Sequence, residues 1–172
     1  PTEFDDAEDE GTWQAWMKLD DWTAQHSGIL GAGGANRVPT IITKNTAEIA
    51  IDVDTSAGKG RIEPTDTGYT NDVWALVAGT WDGSTLRFYK NGVVDANTDS
   101  IGGTKDAMVA SYMIGGTGQF SNDVNLHVQE HKVSAIARSA DWLLTEYNNQ
   151  NAPTTFWVTA AEETESPVVD QS

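Results

Sequence analysis

The sequence predicts an all-β fold, an antiparallel β-sandwich with one short C-terminal helix. Apolar residues recur at every second position in short runs, the runs lie about 8 to 12 residues apart with Gly-rich turns between them, and only one segment has a helical period. The 172 residues match a single domain with room for a sizeable core. Glycine (16) outnumbers the aromatic residues together (7 Trp, 4 Tyr, 4 Phe), which suits a turn-rich globular unit better than a coiled coil. No internal repeat is present.

In chain order, residues 12 to 19 alternate, with Trp13, Ala15, Met17 and Leu19 on one face and Gln14, Trp16 and Lys18 on the other. Residues 20 to 27 read as a loop, and Gly28-Ile-Leu-Gly as a short strand running into a glycine turn. Ile41 to Thr43 and Glu48 to Asp54 are strands, the second sending Ile49, Ile51 and Val53 one way and Glu48, Ala50, Asp52 and Asp54 the other. Residues 74 to 94 read as a three-strand meander, because Asp82-Gly83 and Asn91-Gly92 supply the positive φ that tight hairpins need. Met108 to Ile114 and Val124 to Val133 are two more strands. Ser139 is the expected N-cap of the helix, Asp141 suits its positive end, and Ala140, Leu143, Leu144 and Tyr147 form its apolar stripe. Asn148 to Asn151 and Pro153 end that helix, and Thr154 to Thr159 returns as a strand.

Ten basic and 26 acidic side chains give a net charge of −16, which repels nucleic-acid phosphates and anionic membrane surfaces. The acids concentrate at the ends, six in residues 1 to 10 and four in residues 162 to 172. These segments read as solvated and self-repelling, with calcium capture or adaptation to salty water as the alternatives. The expected organisation is an acidic segment over 1–10, a sandwich over 11–160 and an acidic tail or linker over 161–172. No apolar run approaches the ~20 residues that span a bilayer, so membrane insertion is not expected. Without cysteine the chain has no disulfides, thiolate metal sites or Cys nucleophiles. It starts at Pro1, as a processed product or an excised piece would.

Gly11 to Lys18 followed by Ile29-Leu30-Gly31, the run from Trp74 to Gly92, and Ile114-Gly115-Gly116 together resemble the laminin-G-like, concanavalin A-like lectin/glucanase superfamily of bacterial or phage type. Ala137 to Phe156 resembles the closing helix and strand of such domains. The resemblance covers about residues 11 to 160. It implies a jelly roll of two curved antiparallel sheets, often with calcium near the loops at one rim and ligand bound on a concave face or at that rim. Where relatives commonly carry an Asp-Glu pair, this chain has Gln129-Glu130 before His131-Lys132-Val133.

His127-Val-Gln-Glu130-His131 matches the H-x-x-E-H string of one metallopeptidase class, whose two imidazoles need a helix to reach one zinc. On a strand those positions lie about 13 Å apart, so the match reads as coincidence. Glycosidases on this fold place acids on one strand face, and the nearest match is Glu48, Asp52 and Asp54, interrupted by Ala50. A solvated polar face is the competing explanation. No nucleophile elbow, P-loop or complete dinucleotide fingerprint is present. Calcium is the candidate cofactor, with Asp20, Asp21 and Asp123 as metal ligands meeting Asn122 at one rim and Asp52 with Asp54 as an alternative, although the same residues serve as turn formers.

Sugar rings stack on exposed aromatics while their hydroxyls pair with planar amides and carboxylates. Of the seven tryptophans, Trp16 shares a face with Gln14 and Lys18, and Trp22 lies in an Asp-rich loop near His26. The expected ligand-binding set is therefore Trp16, Trp22, His26, Asn122 and Asp123, against the alternative that both indoles pack inward. The expected function is a non-catalytic binding module recognising a glycan or another cell-surface ligand in adhesion or attachment, located extracellularly, at a cell surface or on a virion. A structural or decoration domain, partnered by other virion or surface-protein subunits, is the alternative, and a glycoside hydrolase is the third reading.

Overall fold

A computed structural model of the chain describes residues 10–22, 28–32, 40–44, 48–65, 68–106, 112–115 and 125–156. The strands are β1 (Gly11–Leu19), β2 (Gly28–Ala32), β3 (Thr40–Lys44), β4 (Glu48–Thr55), β5 (Gly58–Ile62), β6 (Ala75–Trp81), β7 (Thr85–Lys90), β8 (Val93–Ser100), β9 (Tyr112–Ile114) and β10 (Leu126–Ser134). Two helices follow, α1 (Ala140–Asn151) and α2 (Pro153–Phe156). One sheet has the order β10-β1-β6-β7-β8 and the other β5-β4-β3-β2-β9, and every named pairing is antiparallel.

Alternation decides what lies between the sheets. Trp13, Ala15, Met17 and Leu19 of β1 meet Ile49, Ile51 and Val53 of β4, with Val77, Trp81, Leu86 and Phe88 of the meander completing the layer. Gly79 takes the same facing on β6, where a Cβ would come within 2.7 Å of Ile51 Cδ1. The sheets approach too closely there for any side chain. At the Asn91-Gly92 hairpin both residues are left-handed, with φ of 54° and 78°, as a type I′ turn requires. The Asn91 side chain also accepts from Leu76 N–H at 2.9 Å, tying the turn back to β6.

Helix α1 packs on the outer face of the β1-containing sheet. Ser139 caps it by accepting from the Trp142 N–H, and buried Leu143 packs with Ala78 and Tyr89 beside half-buried Trp142. The stripe is narrower than expected, because Leu144 turns outward and is 40% exposed. The helix rests on the hairpin, since a Cβ on Gly92 would lie 2.6 Å from Leu144 Cα.

At the open side, alternate residues of β8 bond to the backbone of β5 and the segment after it. Asp99 accepts from Arg61 N–H at 2.7 Å, the Asn97 amide donates to Glu63 O at 2.8 Å, and Asp95 accepts from Thr65 N–H at 3.0 Å. Side chains thus satisfy backbone groups that a strand edge leaves open.

Gly58 to Ile62 forms β5, a strand missing from the sequence reading because two glycines and two cations disguise it, yet Ile62 is buried in the core. The expected closing strand is corrected. Thr154 to Phe156 belongs to α2 rather than to a strand, because Pro153 provides a preset φ at the first helical position. Residues 157–159, like 108–111 and Val124, lie outside the described residues.

Candidate functional site

The face of β1 that carries Gln14, Trp16 and Lys18 is the outer face of its sheet, and α1 covers part of it. Trp16 is consequently 9% exposed. Its ring stacks on Tyr147 of α1 at 5.6 Å and 24°, and its Nε1–H donates to Gln150 Oε1. The Gln150 amide in turn donates to Glu146 Oε1 at 2.6 Å, and Lys132 Nζ donates to the same oxygen. Lys132 also pairs with Glu130 at 3.1 Å. Burial works against the Lys132 ammonium, but Glu146 and Glu130 outweigh it and raise its pKa above the ordinary lysine value.

Beyond the last turn of α1 the outer face opens into a cleft of about 450 Å³, within the size range of small-ligand sites. Trp16 and Trp74 form its aromatic walls, and β10 contributes Gln129 and Glu130. The end of α1 adds Asn149, Gln150 and Asn151, with Pro153 beyond. Trp74 has Lys18 Nζ 5.7 Å from its ring centroid and the His127 ring edge-on at 6.4 Å.

Glu130 reaches the cleft through a bulge. The β1–β10 register shifts between Gln14 and Trp16, since Gln14 faces Lys132 while Trp16 faces Gln129. Glu130 takes up the extra length with φ of 53°, a left-handed conformation in which non-glycine residues are uncommon.

The sequence-derived site residues do not form one surface. Trp22 is 1% exposed, its ring stacked on Tyr69 at 4.5 Å and its Nε1–H donating to Thr70 O at 2.9 Å. It plugs the end of the core and is no exposed platform; the loop bends its indole inward because all its polar needs are met there. Trp16 lines the cleft, but as a wall pinned by α1 and not as an open stacking face. Asp20 and Asp21 are exposed just before Trp22. The Asp20 N–H donates to Asn125 O at 3.4 Å, which brings the strand following Asp123 beside them. His26, Asn122 and Asp123 lie outside the described residues. Among the described residues no group of three or more His, Asp or Glu side chains is arranged to hold a metal ion.

His127 and His131 stand on strand β10, without the helix that the H-x-x-E-H reading needs. Burial lowers the His131 pKa. The face carrying Asp52 is not solvated as expected. Asp52 is fully buried, gripped by Arg61 Nε at 2.5 Å and Nη2 at 2.6 Å and by Lys59 at 3.0 Å. Burial pushes its carboxyl upward, but Arg61 and Lys59 outweigh that and hold it below the ordinary carboxylate value.

Trp74, Gln129, Glu130 and the helix-end amides were not singled out as binding residues by sequence. Asn148 to Asn151 reads as a helix stop, and only the docking of α1 on β1 shows that these amides share a cleft with two indoles. A run of amides in a tryptophan-rich chain was the available signal.

A family model described as the concanavalin A-like lectin/glucanases superfamily matches residues 2–144. Among curated proteins, none matches the chain. Solved structures with the same fold include a candidate carbohydrate binding protein from Bacteroides ovatus, at 19% identity and a TM-score of 0.64 over 79% of this chain. The botulinum neurotoxin serotype G binding domain is similar at 12% identity and a TM-score of 0.66 over 87% of this chain. The binding domain of Paraclostridial Mosquitocidal Protein 1 gives 12% and 0.65 over 83%. The matches span 40%, 38% and 38% of those three chains, so this chain corresponds to less than half of each.

Proposed function

The chain belongs to the concanavalin A-like lectin/glucanase superfamily, and from that premise we propose that it is a non-catalytic binding module that recognises a glycan through the cleft beside α1. The observation that carries this reading is the lining, where Trp16 and Trp74 share one cleft with the amide residues Gln129, Asn149, Gln150 and Asn151. An indole offers an apolar face to the C–H side of a pyranose, and carboxamides donate to and accept from its hydroxyls. Trp74 is the principal platform, because Trp16 is nearly closed off by Tyr147. The family and the binding domains of similar fold favour a ligand on a cell or particle surface, with an extracellular role in adhesion or attachment. A structural or decoration domain on a virion or surface appendage, partnered by other such subunits, is the alternative proposal. No helix among the described residues is long and apolar enough to cross a membrane.

A glycosidase reading has little to work with at β4. Asp52 is buried and bonded to two cations, so its oxygens are not available to flank a glycosidic bond. Calcium remains a proposal at Asp20, Asp21 and Asp123, where the first two are exposed carboxylates able to act as hard oxygen ligands and the Asp20 N–H bonds to Asn125 O.

The test is a glycan array followed by titration calorimetry with Trp74→Ala. Binding by the native protein that Trp74→Ala abolishes supports the cleft. Binding that survives the substitution undiminished would place the ligand elsewhere.

A further inference from the structure

The bulge in β10 brings Glu130 into the lining of the cleft. Among the described residues Glu130 is the only charged side chain in the lining; that side chain is 53% exposed, and it stands on a backbone with φ of 53°. Bulges at binding sites commonly serve to re-aim a side chain. A glutamate in that conformation bears a local strain that asparagine or glycine would lessen.

The charge around it is incompletely balanced. Among the described residues the cation paired with Glu130 is Lys132, which is shared with Glu146, leaving two carboxylates to that ammonium. Lys18 and His127 contact Trp74, with Lys18 Nζ 5.7 Å from its ring centroid, and neither is among the described residues that line the cleft. A ligand carboxylate or sulfate entering beside Glu130 would meet an excess of negative charge at short range, where solvent screening is weakest. A pair of adjacent hydroxyls would instead donate to the two carboxylate oxygens, forming charge-assisted hydrogen bonds.

Resting on the glycan reading of the cleft, we propose that Glu130 is its specificity-determining residue, accepting from a vicinal hydroxyl pair and selecting neutral sugar units over those that carry carboxylate or sulfate. The Glu146–Gln150–Trp16 chain of hydrogen bonds holds the opposite wall, so selection falls on the β10 side.

An array of neutral, uronic and sulfated glycans, followed by calorimetry with galactohexaose and hexagalacturonate plus the best array hit, tests this on the native chain and on Glu130→Gln, Glu130→Asn and Trp74→Ala. The native protein is expected to bind neutral glycans and leave the acidic ones. Glu130→Gln should weaken neutral binding about tenfold or more, the worth of a hydrogen bond to a charged group. Glu130→Asn should lose affinity equally while its melting temperature holds or rises, because asparagine tolerates the left-handed backbone. A residue needed only for the fold would show the reverse, a lowered melting temperature with affinity kept. Binding that favours acidic glycans, or that Glu130→Gln leaves unchanged while Trp74→Ala abolishes it, would overturn the assignment of Glu130 and leave the glycan reading standing. Failure to bind any glycan would overturn both.

Discussion

Two tryptophans, Trp22 and Trp74, meet opposite fates at the level of single residues. Trp22 has nowhere else to put its indole, being 1% exposed, stacked on Tyr69 and hydrogen-bonded to Thr70. Trp22→Ala should therefore cost about 3 to 5 kcal/mol in denaturant titrations. Trp74 is half-buried on an outer face, and Trp74→Ala should lower stability far less than the Trp22 change while removing ligand binding. Asp52 makes a prediction about acid. Its folded pKa lies below the ordinary value of 3.8, so its contribution is complete above that value and is lost as pH falls through the lower folded value. Asp52→Asn, which leaves Arg61 without its buried partner, should cost about 3 kcal/mol at neutral pH and flatten the fall in stability below about pH 4. An acid limb identical to that of the native protein would rule the pair out as its source.

For elements, the hairpin and the helix depend on each other. Gly92 must be left-handed for the turn, and its missing Cβ is where the backbone of α1 sits. Gly92→Val should thus cost more than about 2 kcal/mol, through backbone strain plus displacement of the helix. Far-ultraviolet circular dichroism should report loss of helix as well. The same change would open the cleft, whose amides come from the last turn of α1. The strands with clean alternation, β1, β4 and the meander, were legible from period and turn residues alone, as was the Ser139 cap. Strand β5 was not, because a Gly-Lys-Gly-Arg-Ile run has one core-facing side chain and is a strand only by virtue of β4 and β8 on either side. Residues 154–156 were misread because Thr and Phe favour strands, whereas Pro153 and the preceding helix set the local backbone.

As a whole, the molecule is a core-filled sandwich carrying strong negative charge, −16 over 172 residues. Calcium added in excess should raise its melting temperature beyond matched magnesium if Asp20, Asp21 and Asp123 act as ligands, because a cation that binds only the native state stabilises it by mass action. Equal melting with calcium and with chelator would discard that site. Separately written pieces of chain, β1, the residue before β6, β10 and the end of α1, build the proposed cleft, and no local window of sequence contains more than one of them.

The sequence by itself determined that this chain folds as two antiparallel sheets around an apolar layer, since alternation, turn glycines and a helix cap are local properties enforced residue by residue. It also determined the family. Only the tertiary structure decided which outer face would be covered, that Trp22 belongs to the core, that Asp52 is locked to two cations, and that Trp74, Glu130 and the helix-end amides share one cleft. Those outcomes depend on which elements dock and on a one-residue bulge in β10, and long-range packing of that kind leaves no periodic trace in the sequence.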